Sequence, residues 1–167
     1  MMKIGSDVPW NAGWTGENRF EIRPCRWAEG RLALWQPHKP GEGRPMFAEP
    51  HIVRQRRSIA QLLCTVCGEH TPENDRWWFE HGHERDGFFM TTESPVHRHC
   101  ADHALRVCPN LRKAGQPPRP FPANHSVLCA VMDPGALVMR FDLASRSNIV
   151  GQMKIAWPAS RVVRASK

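Results

Sequence analysis

The sequence predicts an α+β fold built from short elements. Its 167 residues include 15 prolines and 12 glycines, which interrupt the chain often and favour turns over long helices. Several short apolar runs alternate with polar residues in the manner of half-buried strands, and two longer segments have helical spacing. With 41% hydrophobic residues, a chain of this length can bury one core, so we expect a single domain over residues 1–167.

The first 49 residues contain few regular elements. Short strands are predicted at 20–23, where Phe20 and Ile22 alternate with charged residues, and at 31–35. The segment 36–45 contains three prolines and two glycines, which predict a loop. We therefore expect residues 1–49 to be irregular apart from these short strands.

A basic helix is predicted from Pro50 to about residue 63. Proline suits the first turn, because its fixed φ matches the helix and its missing N–H has no partner there. Ile52 and Ile59 lie seven residues apart and would share the apolar face. The remaining surface would carry Arg54, Arg56 and Arg57. These arginines either form a solvated face or bind phosphate or acidic groups of a partner.

Two pairs of metal-binding residues follow this helix. Cys64 and Cys67 have the two-residue gap of a zinc knuckle, and Gly68 allows the tight turn around the metal. Cys100 and His103 repeat that gap at the start of a helix predicted at about 98–107, where both would face the same way. The four residues predict a tetrahedral Cys₃His site for zinc.

Three neighbouring residues could replace His103 as the fourth ligand: His97, His99 and Cys108. Cys108 lies more than two helical turns from Cys100, which is a poor spacing for one tetrahedral ion. A redox-active cysteine pair is a further alternative for the C-x-x-C sequence. Such a pair begins a helix, whereas the helix predicted here precedes the cysteines, so metal binding is favoured.

Two short aromatic strands, at 76–79 and 87–92, are predicted to form a hairpin between the ligand pairs. The order of knuckle, hairpin and helix over residues 64–108 resembles treble-clef zinc fingers. This resemblance implies a fold for the metal site and no particular activity, since treble clefs serve nucleic-acid binding, protein binding and catalysis. The whole chain also resembles uncharacterised small zinc-binding proteins of bacteria and bacteriophages, in its Leu-Cys-x-x-Cys-Gly, Thr-x-x-Pro-Val and Cys-Pro-x-Leu-Arg segments.

The C-terminal part is predicted to be an antiparallel β-meander at 124–158. Its middle strand would contain Leu137, Met139 and Phe141, which alternate with less apolar residues. A turn at Asp133-Pro134-Gly135 would separate this strand from the first. The chain thus divides into an irregular part at 1–49, a zinc-binding unit at 50–113 and the meander.

Two further segments are recognised by composition. Residues 116–122 are rich in proline and favour an extended polyproline segment. That segment would dock on the Trp-rich surface of its own chain or, less favoured, on a partner. Residues 161–167 are basic and are predicted to form a loose tail.

His81 and His83, in the predicted hairpin loop, raise the question of catalysis beside the metal. They match neither the His-Glu-x-x-His motif of zinc proteases nor the His-x-Glu motif of zinc deaminases. An HNH-type nuclease, also built on a treble clef, is matched only in part by His99 and Asn110. We interpret His81 and His83 as polar loop residues. The alternative is a metal-dependent nuclease that uses His81, His83 or His99.

The charge of the chain favours acidic partners. Its formal net charge is +7, and arginines outnumber lysines 18 to 5, which suits phosphate, carboxylate or aromatic partners. No signal peptide and no apolar run of membrane-spanning length are visible, so a cytoplasmic location is predicted. In that compartment six cysteines favour metal ligands or buried thiols over disulfides.

These observations predict a non-enzymatic, zinc-stabilised binding module. Its partner would be a protein or a nucleic acid, with neither favoured by the sequence. The predicted contact residues lie on the basic helix and the aromatic hairpin: Arg54, Arg56, Arg57, Trp77 and Trp78.

Overall fold

A computed structural model describes residues 2–159, in which helices and strands alternate in a mixed α+β arrangement. The basic tail at 161–167 lies outside the described residues. The helices are α1 (Ile52–Gln61), α2 (Arg98–Val107), α3 (Pro109–Ala114) and α4 (Pro134–Phe141). The strands are β1 (Ala12–Trp14), β2 (Glu21–Pro24), β3 (Leu32–Trp35), β4 (Pro45–Pro50), β5 (Trp77–Trp78), β6 (His83–Arg85), β7 (Phe88–Thr91), β8 (Arg119–Pro120), β9 (Ser126–Val131) and β10 (Val150–Pro158). No described helix is long and apolar enough to cross a membrane.

The largest sheet is organised around β10, its longest strand. The order along this sheet is β2-β3-β10-β7-β6, and β9 also pairs with β10. At Ile155 the strand has β7 on one edge and β9 on the other, both antiparallel. At Val150 it meets β3 in parallel. Strands from all three predicted parts of the chain therefore share one sheet.

Helix α1 packs on β10 through both apolar and polar contacts. Ile59 is fully buried in a cluster with Met153 and Ile155 of that strand. Gln55 accepts from the Met153 N–H at 3.0 Å and donates to the Met153 carbonyl at 2.8 Å, which pairs a side chain with strand backbone. The helix ends at Leu62, which has a left-handed φ of 50°. The predicted helix is thus present, two residues shorter at each end than expected.

The aromatic hairpin differs from the prediction. Trp77 and Trp78 pair with β8 and not with the segment at 87–92. The hairpin is formed by β6 and β7 and turns at Asp86 and Gly87. Strand β8 belongs to the proline-rich segment, so this segment docks on the Trp-rich surface of its own chain, as the favoured alternative predicted. Phe121 follows it and packs edge-on against Trp78 at 6.2 Å between ring centroids.

The predicted middle strand of the meander is a helix, α4. Asp133 caps its N-terminus by accepting hydrogen bonds from the N–H groups of Gly135 and Ala136 at 2.9 and 3.2 Å. Pro134 occupies the first helical turn. An Asp-Pro pair is therefore a helix start here and not a turn between strands. The apparent alternation is coincidental, since Leu137 is buried whereas Met139 is 91% exposed.

Candidate metal centre

Four side chains converge between the end of α1 and the start of α2: Cys64, Cys67, His97 and Cys100. Their ligand atoms all lie within 4.8 Å of one another. His97 Nδ1 lies 3.4 Å from Cys67 Sγ and 4.0 Å from Cys100 Sγ. A tetrahedral ion with ordinary metal–sulfur and metal–nitrogen bonds separates these atoms by about 3.6 Å. The cluster could therefore hold a metal ion.

The first two cysteines lie on a tight turn directly after α1. The Gly68 N–H donates to the Cys64 carbonyl at 2.8 Å and closes this turn. Gly68 has a φ of +83°, and a Cβ on it would lie 2.6 Å from Cγ of Trp10. Glycine is thus required both by the backbone conformation and by the close approach of the Trp10 ring.

The fourth ligand position corrects the sequence prediction, because the structure places His97 and not His103 in the cluster. His97 precedes the first turn of α2, and its Nε2 lies 3.0 Å from the His70 carbonyl. If Nε2 carries the proton and donates to that carbonyl, Nδ1 is left free for a metal. The Nε2 of His103 lies 2.7 Å from the Ser6 carbonyl, where it ties α2 to the N-terminal segment.

Sequence spacing could not separate these two histidines. His97 and His103 each lie three residues from Cys100, so both can share a helical face with it. What differs is which end of α2 faces the knuckle, and that depends on the packing of the whole helix. His99, the other histidine considered, has its Nε2 3.3 Å from Cys100 Sγ but is exposed and outside the mutually close group. Cys108 is half-buried and also outside it.

The electrostatics of the cluster favour a bound cation. Burial raises the pKa of Cys100, and the neighbouring Cys64 and Cys67 raise it further. Burial also raises the pKa of Cys67, with Cys64 adding to the effect, although a backbone hydrogen bond from Glu69 opposes it. Three thiolates this close repel one another, and a divalent ion among them removes that cost.

The cluster is enclosed by the N-terminal segment. Cys64, His97 and Cys100 are 0%, 8% and 4% exposed, and Cys67 is half-buried. The N–H groups of Trp10 and Asn11 donate to carbonyls of the knuckle, at 2.8 and 3.2 Å. If all four residues bound one tetrahedral ion, no coordination position would remain for a substrate, which is the arrangement of a structural metal site.

Arg54 and Arg56, which the sequence offered as partner-binding residues, are instead buried in the fold. They are 2% and 0% exposed. The Arg56 guanidinium donates to the Gly151 carbonyl at 2.6 Å, to the Leu34 carbonyl and to Cys25 Sγ at 3.3 Å. These bonds join α1 to β10 and β3. The prediction that this part of the helix meets a partner is wrong for both residues, because neither reaches the surface.

Arg54 belongs to a second polar cluster with Glu17, His38 and His51. It donates to both carboxylate oxygens of Glu17, at 2.8 and 2.7 Å. Both ring nitrogens of His51 have a partner. Nδ1 accepts a hydrogen bond from the backbone N–H of Arg54 at 3.2 Å, and Nε2 lies 2.9 Å from the Pro37 carbonyl oxygen. The Arg54 guanidinium thus supplies the positive charge that a metal ion would otherwise bring to the Glu17 carboxylate. Glu17 and Arg54 are 37 residues apart in sequence, with no motif to signal their pairing.

The remaining residues predicted to contact a partner differ in their exposure to solvent. Arg57 is exposed, with its guanidinium 5.8 Å from the ring of Trp10. Trp78 is buried among Phe89, Phe121 and Trp157. Trp77 is half-buried, and the guanidinium of Arg98 lies 4.7 Å from its ring. His81 and His83, considered for catalysis, are exposed.

Comparisons with known protein families, with curated proteins and with solved structures found no match to this chain. The resemblance to treble-clef zinc fingers and to small bacterial and phage proteins therefore stays a prediction. The function has to be argued from the metal cluster and from the surfaces around it.

Proposed function

We propose that this protein is a non-enzymatic binding module stabilised by zinc. The observation that carries the proposal is the enclosed cluster of three cysteines and one histidine, Cys64, Cys67, His97 and Cys100. Three cysteine thiolates and an imidazole suit zinc, which binds such ligands as a tetrahedron, better than calcium or magnesium, which prefer oxygen ligands. Because the site is closed, the ion would hold the fold together and take no part in a reaction.

The order of elements supports a treble-clef arrangement of the site. The knuckle follows α1, the β6–β7 hairpin comes next, and α2 then supplies His97 and Cys100. A zinc ion would tie the knuckle to the start of α2. It would thereby position the outer face of α2 relative to the rest of the molecule.

The metal and its ligands can be tested by measuring zinc content in purified variants. His97→Ala is expected to lose stoichiometric zinc, because it removes one of four ligands. His103→Ala is the matched control, since it removes only the contact with Ser6 and should keep one zinc per chain. The reverse result would restore His103 as the ligand and contradict the site described here.

The surface we assign to the partner is the basic helical face, defined as Arg98, Arg106, Arg112 and Lys113 of α2 and α3. All four residues are exposed, and Asp102 is the one acidic residue in the stretch 98–115. Arg98 lies over Trp77, so an aromatic ring borders this face. Exposed cations on two consecutive helices, beside an aromatic side chain, favour phosphate contact and base stacking. We therefore propose a nucleic-acid partner, bound mainly through its backbone.

This proposal is tested by titrating single- and double-stranded oligonucleotides at several salt concentrations. If all four basic side chains contact phosphates, log K should fall with log salt with a slope of about −3 to −4. Replacing the four residues of the basic helical face by glutamine should abolish most of the binding. The matched control replaces four exposed arginines elsewhere by glutamine: Arg23, Arg44, Arg85 and Arg140. Equal losses in both variants, or no binding at low salt, would contradict a dedicated nucleic-acid face.

A protein partner is the second candidate, because β9 leaves an open sheet edge. Among the described residues β9 pairs only with β10, and Ser126–Val131 contains no charged residue. Val127, Leu128 and Val131 are 43%, 44% and 48% exposed. An uncharged apolar edge is a template for an added strand.

A photo-crosslinking residue at position 127 should capture a partner protein in cells, and the substitution Leu128→Lys should prevent this crosslink. A crosslinker at the exposed position 29 is the control.

The alternative of a metal-dependent nuclease gains no support from the position of its candidate residues. His81 and His83 are exposed on and beside β6, and all four cluster positions are filled by protein ligands. We expect no cleavage of DNA or RNA with zinc, magnesium or manganese. Cleavage that is lost in His81→Ala, His83→Ala or His99→Ala would overturn the non-enzymatic proposal.

A further inference from the structure

A cleft of about 430 Å³ lies beside the metal centre, between the N-terminal segment, β4 and the outer end of α2. Its walls are mainly apolar, and three aromatic residues, Phe47, Trp78 and Phe79, contribute to them. Thr65 and Val66, between the two cysteines of the knuckle, form part of its floor. Phe47 is 64% exposed, and its side chain lines the cleft.

The cleft contains one acidic side chain, Glu93, and no lysine or arginine. Glu93 is half-buried, and its carboxylate takes part in no ion pair or hydrogen bond among residues 2–159. Only its backbone N–H is bonded, to Thr91 Oγ1 at 3.1 Å. Burial raises the pKa of Glu93, and His81 at the edge of the cleft lowers it. Neither carboxylate oxygen of Glu93 is fully buried, so the group can meet a cation that enters the cleft, where the apolar walls strengthen the attraction between opposite charges.

We propose that this cleft binds an organic cation, an ammonium group carried on an apolar body. Glu93 would be its counter-ion, and the faces of Phe47 and Phe79 would contact the apolar body and the charged group. The volume lies within the range of small-molecule sites. The chain as a whole has a net charge of +7, whereas the one carboxylate that lines this cleft is not accompanied by any lysine or arginine in the lining.

Other ligand classes fit the lining less well. A calcium or magnesium ion takes six or more oxygen ligands, and the cleft offers one carboxylate. An anion would meet Glu93 without any lysine or arginine to balance it. A neutral apolar ligand would fill the cleft but leave the Glu93 carboxylate unpaired. The charge and the apolar walls are satisfied together only by a cation with an apolar body.

The proposal is tested with three probes of similar size and different charge, measured by isothermal titration calorimetry on the zinc-loaded protein. These are 2-phenylethylammonium, 2-phenylethanol and 3-phenylpropionate. We expect the ammonium to bind at least tenfold more tightly than the alcohol, and the carboxylate not to bind. Absence of ammonium binding at millimolar concentration, or equal binding of all three probes, would overturn the proposal.

Two variants connect the binding to the residues of the cleft. Glu93→Gln keeps the shape of the side chain and should weaken ammonium binding at least tenfold while leaving alcohol binding unchanged. Phe47→Ala changes a side chain that is 64% exposed, so folding should be maintained, and ammonium binding should fall several-fold. Glu84→Gln, on exposed β6, is the matched control and should bind as the wild type does. Unchanged ammonium binding in Glu93→Gln, or in Phe47→Ala, would show that this cleft is not the site.

Discussion

The metal cluster and the polar network on α1 are two ways of burying charge in one small protein. The first gathers three thiols and an imidazole, which could hold a metal ion. The second pairs Glu17 with Arg54 and surrounds both with His51 and backbone groups, so that no ion is needed. The residues of the first come in closely spaced pairs along the chain, whereas those of the second are far apart.

The difference teaches that arginines on a helix are not by themselves a binding surface. Arg54 is balanced by a carboxylate, and Arg56 is surrounded by carbonyl groups of β3 and β10. Both act as connectors between α1 and the rest of the fold. Exposed cations lie in many other segments of the chain, including Arg98, Arg106, Arg112 and Lys113 of α2 and α3.

The largest expected effect comes from removing the metal. Structural zinc sites contribute about 10–16 kcal/mol of apparent binding free energy, comparable with the whole stability of a domain. Treatment with a strong chelator should therefore melt at least residues 64–108, measured by circular dichroism and hydrogen exchange. Cys108→Ser should behave as the wild type, because Cys108 lies outside the cluster. An unchanged melting temperature after complete loss of zinc would contradict a structural metal.

The second prediction breaks the polar network while leaving the metal in place. Glu17→Gln removes the carboxylate that balances Arg54, and both side chains are almost fully buried. We expect the free energy of unfolding to fall by about 3–5 kcal/mol in urea, with zinc content unchanged. Glu21→Gln, which affects only surface ion pairs with Arg19 and Arg23, should cost at most about 1 kcal/mol. Equal effects of the two changes would contradict the network.

The third prediction concerns how the stability of the protein changes as the pH falls. Burial, with the positive charge of Arg54 adding to it, lowers the pKa of His51 from 6.5 to about 4, although the Pro37 carbonyl and Glu17 oppose the shift. Because the folded pKa is depressed, this contribution to stability is fully present above pH 6.5 and is lost as the pH falls toward 4. The shift corresponds to about 3 kcal/mol.

Acid also protonates metal ligands, so the measurement is a difference between proteins. The gap in unfolding free energy between wild type and His51→Asn should narrow by about 3 kcal/mol across this pH interval, since zinc release affects both proteins equally. Protonation of Glu17 also lowers the stability of the folded protein, but at a lower pH. Burial alone would raise its pKa, but hydrogen bonds from Arg54 and the Lys39 N–H, with the charges of His51 and Arg54, lower it below 4.5. A gap that is constant with pH would contradict a buried neutral His51.

The smallest predicted effect separates backbone strain from packing at the knuckle. Gly68 and Gly115 both have a left-handed φ, of +83° and +64°, but only at Gly68 would a Cβ meet another side chain. Gly115→Ala should cost about 1 kcal/mol from the backbone alone. Gly68→Ala should cost about 2 kcal/mol more, because the Trp10 ring must move. Thermal unfolding of the two variants measures the difference, and equal costs would show that Trp10 does not constrain the turn.

Several features could be predicted from local sequence. The bounds of α1 and α2 agree with the predicted ones to within two residues, and three of the four cluster residues are those predicted. Helix α4 was missed, although Asp133 and Pro134 are a capping residue and a first-turn proline. Leu137, Met139 and Phe141 alternate with less apolar residues as in a strand, but an Asp-Pro pair is the stronger local signal and marks a helix start.

Other features depend on residues that are distant in sequence. The strand partner of Trp77 and Trp78 is β8, more than forty residues later, and no local pattern indicates it. The burial of Arg56 depends on carbonyl groups of Leu34 and Gly151, which belong to two different strands. Sequence polarity placed this arginine at the surface. Only the assembled sheet supplies acceptors inside the protein.

The sequence by itself determined the mixed α+β class, the knuckle at Cys64 and Cys67 and the contribution of Cys100. These depend on spacing over a few residues, where backbone geometry leaves few alternatives. Tertiary structure decided between His97 and His103, buried two of three arginines on α1 and opened the cleft around Glu93. Those outcomes depend on which faces of α1 and α2 pack against β10 and the N-terminal segment. Such contacts between distant residues are decided by the packing of the whole chain.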